Sequence, residues 1–269
     1  MCSSDLANSV PSFEELVAEG DAVPLDGWDF SWFDGRATED RPPWGYARLI
    51  GERLRSALAA LDIQTGGGEV LAGAVQHSSD GAGRPRQLVV LAATESWPPN
   101  IARARSALEP LGGIVTEIAD DADLPFPAES FDLVVSRHPT EVVWPEIARV
   151  LQPGGTYLSQ QVGAGSNREL IDFMMGPQPV DPSRSTEVAR GEAAAAGLEV
   201  VDIREQALRV EFFDVAAVVH FLKKVLWTVP GFTVAGYGEP LRQMHEHIQE
   251  HGSYVCHSRR FLIEARQPS

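Results

Sequence analysis

The sequence predicts an α/β chain organised around a doubly wound, mostly parallel seven-stranded sheet with helices on both faces. Two observations predict it. Short runs rich in β-branched and aliphatic residues alternate with stretches of helical periodicity, the pattern of strands covered on both sides. The first of those strands also runs straight into a loop of three consecutive glycines, "ALDIQTGGGEVLAG" over 60–73, with a helical pattern behind it. At 269 residues and 43% hydrophobic content, the chain can bury the core that such a sheet needs.

Taken in order, "FEELVAE" (13–19) suggests a short helix, and "DGWDFSWFDGRATEDRPPW" (26–44) packs aromatics into an irregular Gly/Pro/Asp-rich segment. From Gly45 to Leu61, Tyr46, Leu49, Ile50, Leu54, Leu58 and Leu61 recur at helical spacing, so a helix is expected to lead directly into the opening strand. After a polar turn over 77–87, strands are expected at 88–92, 113–119, 131–137 and 156–162. Between them lie a helix closing at Gly112 and Gly113 and another with Trp144, Ile147, Val150 and Leu151 on one face. "STEVARGEAAAAG" reads as a helix closed by Gly197, "LEVVDIREQ" as a strand and "RRFLIEAR" (259–266) as the last strand. Two further helical patterns, 214–227 and 239–252, interrupt this alternation. The expected organisation is an N-terminal helical and aromatic cap (1–55), a core (56–206), a helical insertion over the active site (207–252), and a final core strand with its tail (253–269).

Composition narrows the function classes. No apolar run reaches the length of about 18 residues that a membrane span needs. The start, "MCSSDLANSVPSFEELVAEGD", lacks the basic and apolar regions of a secretory signal, so a cytoplasmic protein is the expectation. Cys2 and Cys256 make neither a disulfide framework nor a four-thiolate zinc site. A net charge of −16, with Lys223 and Lys224 the sole lysines, disfavours nucleic acid, whose binding rests on lysine and arginine displacing counterions.

The glycine loop has two readings. A dinucleotide fingerprint needs a small third residue, and counting from Gly66 through Gly68 that position is Leu71, which would push helix from strand. The alternative is the pattern D-x-G-x-G-x-G, met by Asp62, Gly66 and Gly68, with Gln64 standing in for the first glycine. Glu95 then follows the second strand. "DDADLPFPAESFDLVVSR" (120–137) and "RVLQPGGTYL" (149–158) follow in order.

Together these segments resemble the class I, Rossmann-like S-adenosylmethionine-dependent methyltransferases, over roughly residues 55–165. The resemblance implies that S-adenosyl-L-methionine is the cofactor and S-adenosyl-L-homocysteine the product. It implies a cofactor site formed by Asp62, Gln64, Thr65, Gly66 and Gly68, by Glu95, Ser96 and Trp97, by Asp120 and Asp121, and by Ser136 and Arg137. In it, Glu95 takes the ribose hydroxyls, Asp120 and the backbone near Asp121 meet the adenine, and Ser136 and Arg137 approach the methionine portion. Gln64 either keeps the turn through its backbone with its side chain turned away, or reaches into the pocket.

Other residues carry two readings each. His138, just past the fourth strand, is a candidate general base, its ordinary pKa of about 6.5 suiting proton removal near neutrality; the plainer alternative is a residue that lines the loop. His247 and His251 have a spacing able to chelate a metal, but no partner motif accompanies them, and "DDAD" (120–123) is explained by the adenine loop, so no metal is expected. Trp28, Trp32, Phe33, Phe221 and Trp227 are candidate walls of an acceptor pocket as well as candidate core. The expected function is methyl transfer to a small-molecule acceptor. The alternatives are methylation of RNA, a non-catalytic ligand-binding protein on the same fold, and a nicotinamide-dependent oxidoreductase.

Overall fold

The computed structural model describes residues 11–25, 30–78 and 87–269. Trp28 and most of the expected polar turn at 77–87 lie outside them. The strands are β1 (Ala37–Glu39), β2 (Ala59–Ile63), β3 (Val90–Glu95), β4 (Ile114–Glu117), β5 (Phe131–Arg137), β6 (Leu151–Val162), β7 (Glu199–Phe212) and β8 (Tyr254–Arg266), in the order β1-β7-β8-β6-β5-β2-β3-β4. The α/β class is as expected, but the sheet has eight strands, not seven, and is mixed. β2 pairs in parallel with β3 and β5, as do β3 with β4 and β5 with β6, whereas β6–β8 and β1–β7 are antiparallel.

The helices are α1 (Phe13–Ala22), α2 (Tyr46–Leu54), α3 (Glu69–Ser78), α4 (Pro98–Leu108), α5 (Trp144–Val150), α6 (Arg168–Met175), α7 (Thr186–Ala195), α8 (Val215–Lys224) and α9 (Gly238–His251). The chain divides into two compact units. The larger comprises Arg41–Ser166, Val180–Leu208 and Ser258–Ser269. The smaller comprises the described residues up to Asp40, Asn167–Pro179 and Arg209–His257.

In the larger unit, period-two alternation along the strands feeds two cores. Ala60 of β2 and Leu133 and Val135 of β5 face a cluster with Ile50 and Leu54 of α2, Leu71 and Val75 of α3, and Ile101 and Leu108 of α4. Leu61, Ile63 and Val134 face the opposite cluster with Trp144 and Ile147 of α5, Tyr157, Ala189 and Ala193 of α7, and Ile263. All five residues of β2 are buried, as a central strand covered on both faces must be. The expected helix over 45–61 stops early, at Leu54. The Asp132 carboxylate accepts the backbone N–H groups of Leu58 (2.7 Å) and Ala59 (3.0 Å), catching the chain as it turns into β2, and Leu58 is left 55% exposed.

The smaller unit is assembled from three separate segments around its own core. α1 opens with a capping box: Ser12 N–H donates to Glu15 Oε2 (2.8 Å) and Glu15 N–H to Ser12 Oγ (3.3 Å). Gly20 lets α1 lie against the Ala216 carbonyl of α8, whose residues Val215 to Val219 are all buried. Leu170 and Met174 of α6 and Leu241, Met244 and Ile248 of α9 complete the cluster. Arg36 bridges Glu19 (2.5 Å) and Asp214 (3.2 Å), and Asp214 caps α8 by accepting the Ala217 N–H at 2.8 Å.

Candidate functional site

Because β2, β3, β4 and β5 are mutually parallel, the loops that follow them emerge at one edge of the sheet, the edge where open α/β sheets bind ligands. After β2, the chain turns through Gln64 (φ 55°), Gly66 (φ 65°) and Gly68 (φ 76°) into α3. Glycine is required at position 68: a Cβ there would stand 3.1 Å from Ala104 Cα and 3.3 Å from Leu108 Cγ of α4. At Gly66 a Cβ would meet nothing within 4 Å, so only the backbone conformation calls for glycine, and the open space beside it is available to a ligand.

Three acids surround this loop. Asp62 is buried, and its Oδ2 accepts the Thr65 hydroxyl at 2.7 Å. Burial raises its carboxyl pKa to about 7, with the Thr65 hydrogen bond opposing and the charges of Glu95 and Glu69 adding. Glu95, also buried, accepts the Gly66 N–H on Oε2 (2.7 Å) and the Trp97 N–H on Oε1 (3.0 Å). Each oxygen keeps a lone pair for a further donor, as a carboxylate meeting two vicinal hydroxyls requires. Asp120, after β4, accepts the Thr140 hydroxyl on Oδ2.

Gln64 keeps the turn through its left-handed backbone, and its side chain is engaged within the protein. Its side chain spans to the loop after β5, where Nε2 donates to the Glu141 carbonyl (2.8 Å) and Oε1 accepts the Thr140 N–H (2.7 Å). The left-handed backbone this demands of a non-glycine residue costs about 1–2 kcal/mol.

A cleft of about 420 Å³, counting its open mouth, lies among these loops, with Gln64, Thr94, Asp120, Ser136, Glu146 and Tyr157 in its wall. Gln64, Asp120 and Ser136 were expected at the cofactor; Thr94, Glu146 and Tyr157 were not. Ser136 is fully buried and its hydroxyl lies 2.8 Å from both Tyr157 Oη and Ser159 Oγ, so it is tied into the wall of the cleft. Burial holds the Tyr157 phenol above its usual pKa, keeping it protonated. Asp121 and Arg137 are exposed, Ser96 is half-buried and Trp97 is 38% exposed.

The Asp120–Phe126 loop is held from below by a pair the sequence did not single out. Glu146 Oε2 accepts the Leu124 N–H (2.7 Å), and Arg149 donates to the carbonyls of Leu124 and Phe126, both at 2.8 Å, while pairing with Glu146 at 2.6 Å. The Arg149 guanidinium holds the Glu146 carboxyl below its ordinary range. Arg149 belongs to the "RVLQPGG" segment, so the signal was in view but its target, 23–25 residues upstream, was not.

His138 sits in a relay. Trp44 Nε1–H donates to Gln160 Oε1 (2.7 Å), so the Gln160 amide nitrogen, 2.9 Å from His138 Nε2, is the donor there. Nε2 is therefore an acceptor and the proton resides on Nδ1. Burial and the charges of Arg260 and Arg137 hold the imidazole well below its usual pKa, which keeps it neutral. Trp32, Phe33 and Phe221 belong to the core of the smaller unit, where Trp32 and Phe33 each lie 5.0 Å from the buried ring of His220. Trp227 is 57% exposed. His247 and His251 stack at 4.3 Å, with His251 Nδ1 bonded to the His247 carbonyl. Among the described residues no group of three His, Cys, Asp or Glu side chains could hold a metal ion, and no helix is long and apolar enough to cross a membrane.

Comparison with known proteins agrees with this geometry. Residues 61–159 match the family model described as a methyltransferase domain. No curated protein matches the chain significantly by sequence. Among solved structures, a Bacillus halodurans protein to which methyltransferase activity is ascribed superposes with a TM-score of 0.56 at 17% identity, over 83% of this chain and 99% of that one. A chain from the complex between the Haloferax volcanii Trm112 activator and a methyltransferase gives 0.51 at 17% identity, over 96% of both. The 4+2 cyclase SpnF gives 0.50 at 16% identity, over 96% of this chain and 98% of that one. At these identities the structures speak for the fold, and the family match speaks for the segment that carries the cleft. Residues 61–159 thus carry the match to a methyltransferase domain, on a fold shared with these structures.

Proposed function

We propose that the chain transfers the methyl group of S-adenosylmethionine to a small-molecule acceptor. The observation that carries this reading is the buried Glu95 carboxylate at the end of β3, set 2.7 Å from the Gly66 amide of the glycine loop. That arrangement suits a ribose at the carboxylate and a methionine portion along the open side of Gly66. The bound cofactor supplies an electrophilic sulfonium methyl. The protein's part is then to align the acceptor and exclude water, rather than to activate the methyl.

His138 is proposed to line the acceptor side as a neutral hydrogen-bonding group, with its Nδ1–H the available donor. Because Nε2 already accepts from Gln160, its lone pair is committed, and a proton gained there would face the amide donor. Segments 26–44 and 207–252 are proposed to select the acceptor, the exposed Trp227 through apolar surface and the core-packed Trp32, Phe33 and Phe221 by shaping the smaller unit. Rising hydrogen-exchange protection in both segments upon saturation with S-adenosylhomocysteine and acceptor supports that assignment; unchanged exchange in both removes it.

The net charge of −16 favours a small molecule over RNA. The cyclase among the similar structures gives a specific ground for a second reading, a different reaction on the same fold. Production of S-adenosylhomocysteine in the presence of small-molecule nucleophile panels, set against transcribed RNA, separates the readings. Turnover with small molecules alone supports the proposal, turnover with RNA alone replaces the acceptor class, and tight cofactor binding with no turnover on either favours the second reading.

A further inference from the structure

We infer that Gln64 is a positioning residue, a clasp that fixes the β5–α5 loop against the glycine loop before the cofactor arrives. The inference rests on the reading of the cleft as the cofactor site. It begins from the single departure of this loop from the D-x-G-x-G-x-G pattern. A glutamine at φ 55° is strained where glycine would not be, so its side chain has to contribute something that glycine cannot.

That contribution is a two-point grip on main chain. The amide donates through Nε2 to Glu141 O at 2.8 Å and accepts the Thr140 N–H on Oε1 at 2.7 Å. Thr140 is held from three sides. Gln64 takes its N–H, Arg184 Nη2 donates to its carbonyl at 3.1 Å, and its hydroxyl turns to Asp120 Oδ2. The hydroxyl has one proton, and the Asp120 carboxyl oxygen at the shorter separation takes it in preference to Gln64 Oε1 at 3.1 Å. One network thus ties the loops after β2, β4 and β5, and Gln64, Asp120 and Glu141 all stand in the cleft wall.

The residues from His138 to Val143 form no regular structure, and His138 itself has φ 54°. Without the clasp, such a loop would have to be ordered at the moment of binding, and that entropy would be lost from affinity. With it, the loop is set in advance, and the network leaves Asp120 Oδ1 unused in the cleft wall.

The test compares wild type with Gln64→Gly and Gln64→Asn in the full chain, reading three quantities: affinity for S-adenosylhomocysteine, thermal midpoint, and exchange of the Thr140 amide. Glycine relieves the backbone strain while deleting the clasp. Asparagine tolerates the left-handed backbone but is one methylene too short to reach Thr140. The clasp predicts that both variants bind at least tenfold more weakly, that the Thr140 amide exchanges faster, and that the midpoint of Gln64→Gly is unchanged or raised. Affinity within twofold of wild type in both variants overturns it. A parallel fall of affinity and midpoint in Gln64→Gly also overturns it, since that is the signature of a brace for stability alone. If the wild type itself binds no S-adenosylhomocysteine, the cofactor reading fails first and the clasp with it, whereas failure of the clasp alone shows only in the variants.

Discussion

Glu95 holds the glycine loop through the amide of Gly66: its buried Oε2 accepts that N–H at 2.7 Å while Oε1 accepts the N–H of Trp97 at 3.0 Å. The acid expected at the ribose therefore also builds the loop against which the cofactor lies. Glu95→Ala is expected to weaken S-adenosylhomocysteine binding by about 1–3 kcal/mol and to lower stability by a comparable amount, since two amides lose their acceptor. Glu95→Gln, which keeps one acceptor oxygen, should recover part of the stability but little of the affinity. Calorimetry and urea unfolding on the two variants read both quantities; unchanged affinity in Glu95→Ala removes the ribose assignment.

The two left-handed glycines should separate packing from ligand access. Gly68→Ala places a methyl 3.1 Å from Ala104 Cα, so it adds a steric clash with α4 to backbone strain and should cost about 2–4 kcal/mol of stability. Gly66→Ala meets open space and should cost about 1 kcal/mol from strain alone, while impairing cofactor binding more than folding. Equal losses of stability in both variants contradict this division.

Asp62 makes binding depend on pH. Its carboxyl titrates near 7 in the fold because burial disfavours the charge, against about 3.9 in an unfolded chain. Between these values the folded state holds the extra proton. The stability Asp62 contributes is complete below the unfolded value and is lost as pH rises through about 7. A cationic ligand reverses the preference by favouring the carboxylate. S-adenosylmethionine affinity should therefore tighten as pH rises from 6 towards 7 and level off above it, and Asp62→Asn should flatten the profile. A wild-type profile already flat across that range excludes the linkage.

Arg149 should act on the cleft from beneath it. Removing the guanidinium in Arg149→Ala strips the carbonyls of Leu124 and Phe126 of their donor and frees the Glu146 carboxylate from its partner. Faster hydrogen exchange across residues 120–126 is expected, with cofactor affinity reduced about three- to tenfold, the equivalent of about one charged hydrogen bond. Unaltered exchange in that loop would show that it is held by other contacts.

Much of this was legible in the chain because it is local. The alternation of strands and helices over 59–162 follows from residue periodicity, and Asp62, Glu95 and Asp120 stand at or just past strands whose parallel order brings them to one edge. What escaped depends on contacts distant in sequence. Gln64 takes its meaning from Thr140 and Glu141, more than seventy residues away, and nothing in its own neighbourhood names them. The smaller unit draws on three separated segments, so 207–252 alone does not define it. The continuation of β7 to Phe212 was readable after all: Leu208, Val210 and Phe212 are buried while Ala207 and Arg209 are exposed, a period-two signal obscured by the charged residues between.

The most direct measurement is calorimetric titration of the purified chain with S-adenosylhomocysteine, with NADH titrated separately under the same conditions. Saturable one-to-one binding of S-adenosylhomocysteine, weakened by about 1–3 kcal/mol in Glu95→Ala, together with no binding of NADH, is the predicted result. Absence of S-adenosylhomocysteine binding by a chain that unfolds cooperatively, or binding indifferent to Glu95, would contradict the cofactor assignment.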